Sequence, residues 1–110
     1  MSDKYILKGR TPVPVDDLLE WARWFENADR HVKLSEQGDV RVSTVFLGLD
    51  HSWGGDRPVL FETMVFGVPG LDVQDRYCTW EEAEAGHDRR VMEVFKATPI
   101  LALPASEEAK

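Results

Sequence analysis

Cysteine is nearly absent from this chain. Cys78 is the only one in 110 residues, which excludes an internal disulfide, a zinc ribbon and a paired-cysteine redox motif. Such a chain suits a reducing cytoplasm. Long hydrophobic runs are also missing. No stretch approaches the ~20 apolar residues of a membrane-crossing helix, and Met1–Lys8 is too short and polar to act as a signal peptide. The expectation is a soluble cytosolic protein. Basic charge is scarce: 13 Lys and Arg stand against 20 Asp and Glu, for a net charge of −7. Residues 1–55 hold 9 acidic and 7 basic side chains and residues 56–110 hold 11 and 6, so the acidity leans toward the second half. This balance disfavours direct contact with nucleic acid, which needs clustered Lys and Arg. It leaves open a basic partner or mimicry of nucleic acid, although plain solubility explains it as well. Repeats and low-complexity linkers are lacking too.

What is present is enough for one folded domain. A hydrophobic share of 43%, with four Trp and five Phe, argues against disorder. A chain of this length buries roughly two-thirds of its unfolded surface. The reading is a single domain over residues 1–104, with residues 105–110 as a disordered tail.

Tyr5–Leu7 and Thr11–Pro14 read as extended, the latter because each proline pushes its predecessor out of the α region. A helix is predicted over about residues 15–30. Pro14 suits its first position, Asp16, Asp17 and Glu20 complement its dipole, and Leu18, Trp21, Ala22, Phe25 and Ala28 form its apolar stripe. Trp24 lies on the flank of that stripe. His31–Ser35 is a candidate strand, and Glu36–Asp39 a turn around Gly38. Strands are predicted over 40–49 and 58–66, both largely covered, with a turn at Val68–Gly70 and a short strand at Arg76–Cys78. Thr79–Glu82 forms a capping box for a second helix over 80–96, whose apolar face runs through Trp80, Ala83, His87, Val91, Val94 and Phe95. Ile100–Leu103 reads as a strap across the surface. Short connections make neighbouring strands antiparallel. The fold class is therefore α+β: a two-layer sandwich, an antiparallel sheet of three to four strands with two helices on one face. Trp21, Phe25, Phe46, Phe61, Trp80, Val91 and Phe95 are the expected core.

The loop Asp50–Arg57 between two strands is the candidate site, because a rigid scaffold holds both its ends. Asp50, His51, Trp53, Asp56 and Arg57 are its candidate binding residues. His51 can act as a general base oriented by Asp50 or Asp56, or bind a metal with them. The plainer alternative is structural: Gly54 and Gly55 shape a reversal, Asp56 and Arg57 pair on the surface, and Trp53 folds over the sheet edge. No catalytic residue is assigned, since a nucleophile is missing unless Ser52 serves, and no oxyanion-hole glycine motif surrounds it. His87 reads as a buried core histidine held by a backbone carbonyl or Glu62. Glu62, in mid-strand, calls for Arg41 or Arg76 as its partner. Cys78, His87 and His51 are too scattered for a metal set, so neither a metal nor a cofactor is expected.

The runs Thr11–Leu18 (TPVPVDDL), Glu20–Glu26 (EWARWFE), Val42–His51 (VSTVFLGLDH), Leu60–Gly67 (LFETMVFG) and Thr79–His87 (TWEEAEAGH) resemble a family of small uncharacterised proteins of tailed bacteriophages and prophages. The resemblance covers roughly residues 5–96. It implies an origin in phage or integrated phage DNA and a place of action in the host cytoplasm. It brings no activity and no catalytic residues with it. The leading expectation is a viral accessory protein that binds, and so inhibits or redirects, a host, phage or defence protein; holding a small nucleotide is a variant of this. The alternatives are a small hydrolase or metal-dependent enzyme using His51 with nearby carboxylates, and a component of virion assembly. A homodimer is also left open.

Overall fold

A computed structural model of the chain describes residues 3–52 and 55–97. The expected tail, the Ile100–Leu103 strap and Trp53 lie outside the described residues. Among the described residues the architecture is α+β, with two antiparallel sheets and two helices. Strands β1 (Tyr5–Lys8) and β2 (Thr11–Pro14) form a hairpin. Helix α1 (Leu18–Asn27) follows. Strands β3 (His31–Gln37), β4 (Val40–Phe46), β5 (Phe61–Phe66) and β6 (Gln74–Tyr77) then make a four-stranded antiparallel meander in chain order. Helix α2 (Trp80–Ala97) lies across it.

Alternation decides which residues enter the core. In β4, Val40, Val42, Thr44 and Phe46 are buried, and on β5 their neighbours Phe61, Thr63 and Val65 are buried with them. These side chains face Ala83, His87 and Val94 of α2. The core has two lobes. One joins Val40, Val42, Val65, Val73 and Val94. The other joins Phe46, Leu60, Phe61 and Ala83, walled by Tyr5, Leu7, Trp24, Tyr77 and Trp80. Trp24 of α1 meets Phe46 edge-on at 5.7 Å, so α1 reaches the same lobe as α2. Gly86 is needed where α2 crosses β6: a Cβ there would run into the ring and hydroxyl of Tyr77.

Several expectations change. Helix α1 starts later than predicted, because Pro14 is consumed by β2 and Asp17 caps the helix, its Oδ1 accepting from the amides of Leu19 (2.9 Å) and Glu20 (3.3 Å). Leu18, placed in the apolar stripe, is 61% exposed, and α1 contains no buried residue. Trp21 and Phe25 are half-buried, since α1 packs chiefly on β1 rather than on the large sheet. Phe46 and Phe61 are fully buried as expected, and Trp80, Val91 and Phe95 flank the core. Strand β4 ends at Phe46 and β5 begins at Phe61, although backbone bonds from Leu47 N to Leu60 O (2.7 Å) and from Leu60 N to Tyr77 O (3.0 Å) continue the pairing beyond them.

Candidate functional site

The loop after β4 begins at a bend. Gly48 has φ +80°, and a Cβ there would lie 2.9 Å from Phe25 Cε1. Both the backbone angle and the approach of Phe25 therefore need glycine. Trp21 Nε1 reinforces the bend by donating to the carbonyls of Gly48 (3.1 Å) and Tyr5 (3.2 Å). Beyond it, Tyr5 N donates to Gly48 O and Asp50 N donates to Asp3 O on one side, while His51 N donates to Val59 O on the other. The chain is thus hydrogen-bonded from two directions as far as His51.

Asp50 is the brace of the loop. Its Oδ1 accepts from Ser52 N (2.8 Å) and Val59 N (2.9 Å), tying both arms together. Desolvation opposes its ionisation, but the amides of Ser52 and Val59 outweigh that and hold its carboxyl below the ordinary aspartate range. Arg57 is the second brace. Its guanidinium donates to Glu82 Oε2 at 3.2 Å. Glu82 is already fixed at the start of α2: its Oε1 accepts from the amides of Cys78 (3.0 Å) and Thr79 (3.2 Å), and its own amide donates to Thr79 Oγ1 (3.1 Å). This is the expected capping box, with the added function of anchoring the loop. The amide of Cys78 is the main reason that the Glu82 carboxyl lies below its usual range. The surface pair expected between Asp56 and Arg57 is replaced by Arg57–Glu82, because the helix cap presents a carboxylate whose geometry is already set. Asp56 is exposed and joins no ion pair among the described residues.

His51 and Ser52, both half-buried, line a shallow cavity of about 370 Å³ with Asp50 and Arg76. Arg76 comes from β6, where it sits opposite Glu62 in register. Its Nε donates to Glu62 Oε2 at 3.0 Å, and Glu62 is 8% exposed. The sequence named this pairing but not the place of Arg76 beside His51. That place depends on strand register, which residue types alone do not set. Arg41, the other candidate partner, lies over the Phe66 ring at 5.1 Å.

His87 is fully buried, as expected, but its partners are hydroxyls rather than a backbone carbonyl or Glu62. Its Nδ1 lies 2.8 Å from Thr44 Oγ1 and its Nε2 lies 2.9 Å from Ser35 Oγ. Thr44 bonds in turn to Thr63, which accepts from the Tyr77 hydroxyl at 3.2 Å. The chain of bonds touches all four strands of the sheet and α2. One ordering of protons satisfies it: Tyr77 donates to Thr63, Thr63 to Thr44, Thr44 to Nδ1, and Nε2–H to Ser35. That ordering requires neutral imidazole, and burial pushes the His87 pKa below its ordinary value of 6.5.

Among the described residues no three His, Cys, Asp or Glu side chains gather as a metal-binding group. Among them too, no helix is long and apolar enough to cross a membrane. No protein-family model matches the chain, and neither a curated protein nor a solved structure is significantly similar to it.

Proposed function

We propose that this chain is a small accessory protein of bacteriophage or prophage origin that acts by binding. In this reading His51, Ser52 and Arg76 engage a host or phage protein in the host cytoplasm and inhibit or redirect it. One observation carries the proposal. Asp50 and Arg57 are spent on bracing the loop, so His51 and Ser52 are presented beside Arg76 at a held, shallow cavity. Holding the backbone in advance lowers the entropy lost on association.

The geometry supports binding over turnover. Ser52 and His51 make no side-chain hydrogen bond to one another among the described residues, so neither activates the other. The imidazole that does touch hydroxyls, His87, is sealed from solvent. The cavity instead sets donors beside the Asp50 carboxylate, whose Oδ1 is taken up by two backbone amides. Arg76 gives its Nε to Glu62 and has two terminal nitrogens with no partner among the described residues. Together with the Ser52 hydroxyl and the His51 ring, these suit a carboxylate or a phosphate. An acidic side chain of a protein partner supplies that group, as would a nucleotide.

The test is affinity capture from host lysate with the full chain and with a His51→Ala, Ser52→Ala double variant, read by mass spectrometry. The wild type should retain a partner that the double variant loses while its melting temperature stays within a few degrees. A partner held equally by both would place the binding surface elsewhere. Turnover of an ester or phosphoester by the wild type, lost in the variant, would replace binding with catalysis.

A further inference from the structure

The four-stranded sheet has two faces, and only one carries α2. On the opposite face the register aligns Leu34, Ser43, Met64 and Gln74 across all four strands. Val45 and Glu62 face each other in the next row toward the loop, and Arg41 and Phe66 in the row on the other side. An antiparallel sheet face meant for water is ordinarily polar at most positions. This one keeps that polar majority but sets four apolar side chains among it: Leu34, 48% exposed, Phe66, 41% exposed, and the half-buried Val45 and Met64. Among the described residues no helix packs across it.

We infer that this face pairs with the same face of a second copy of the chain, giving a two-fold symmetric dimer. Charge is the first argument. The chain carries −7, so two copies repel through most of their surfaces. This face carries Glu36 and Glu62 against Arg41 and Arg76, each acid opposite a base in the register, and is neutral. It is a place where two like-charged copies meet without net repulsion.

Shape is the second argument. A two-fold axis along the strands, between β4 and β5, lays β4 of one copy over β5 of the other. Ser43, the smallest side chain of the face, then meets the partner's Met64, and Arg41, which lies over Phe66 of its own chain at 5.1 Å, meets the partner's Phe66 ring as well. Small against large and cation against ring are self-complementary, as an isologous interface requires. Area is the third. Four strands about 4.8 Å apart, each with about six residues, span roughly 400 Å². With side-chain relief, two copies bury on the order of 1,000 Å², the size of a weak interface, so a dimer that forms only as concentration rises is expected. The inference stands without the function proposed for the loop, although the two share Arg76, which lies both on this face and at the cavity.

The experiment uses the full chain labelled at its methionine methyls. Met64 lies on this face and Met92 on the outer side of α2, 66% exposed, so one spectrum holds both probe and control. Between about 10 µM and 1 mM the Met64 signal should shift with concentration while Met92 stays still, and sedimentation equilibrium should show monomer passing to dimer over the same range. Met64→Lys should remain monomeric throughout with an unchanged circular dichroism spectrum; Ser43→Arg, which removes the small partner position, should do the same. A wild type that stays monomeric at 1 mM, a dimer in which only Met92 shifts, or a folded Ser43→Arg that still dimerises equally well would each overturn the inference.

Discussion

The two helices invite comparison, because they look alike in sequence and stand differently in the fold. Helix α1 is the more strongly amphipathic, with two tryptophans, a phenylalanine and two leucines in ten residues, yet it contains no buried residue. Helix α2 is more polar on average but buries Ala83, Gly86, His87 and Val94 against the large sheet. Periodicity shows which side of a helix is apolar. It does not show how deeply that side is buried, because depth depends on the area of what lies beneath. Four strands lie under α2, whereas α1 rests chiefly on one short strand and on the bend at Gly48.

The difference between the helices should be largest in the core under α2. Phe61→Ala removes a fully buried ring that touches Phe46 and Trp80, and should cost about 3–5 kcal/mol in chemical denaturation. A loss below about 1 kcal/mol would mean that the α2 side is packed no better than the α1 side.

A smaller effect should come from pH. The pKa of His87 is depressed in the folded state, so the unfolded chain takes up a proton first as pH falls. The contribution of neutral His87 is complete above its ordinary pKa of 6.5 and is lost as pH drops below it toward the lower folded value. Melting temperature should therefore decline from pH 7.5 to pH 5. In His87→Gln that part of the slope should disappear, and an unchanged slope would show that His87 does not titrate with folding.

The least effect is expected at the start of α1. Leu19 is 66% exposed, and Leu19→Ala should change stability by less than about 0.5 kcal/mol. A loss above about 2 kcal/mol would reveal that α1 is buried by a contact outside the described residues.

The candidate site was legible to different degrees along its length. That a compact polar loop joins two strands is visible in the break from alternating apolar residues to Asp50–Arg57. The roles inside it are not. Asp50 and Arg57 look as reactive on paper as His51, and only the bonds to Val59 and Glu82 turn them into braces. Arg76 reads as a partner for Glu62, but its position beside His51 follows from β6 lying next to β5.

Local chemistry determined much of this protein by itself. The capping box at Thr79–Glu82, the turns at Gly38 and Gly70, and the inward row Val40, Val42, Thr44 and Phe46 each rest on neighbours a few residues apart. Tertiary structure decided the rest: that Leu18 faces water, that Arg57 joins Glu82, that His87 is closed in by Ser35 and Thr44, and that among the described residues one sheet face has no helix over it. The physical reason is range. These pairings connect positions 25, 43 and 52 residues apart, and over such separations propensity and periodicity set what a segment offers while the packing of other segments sets what it meets.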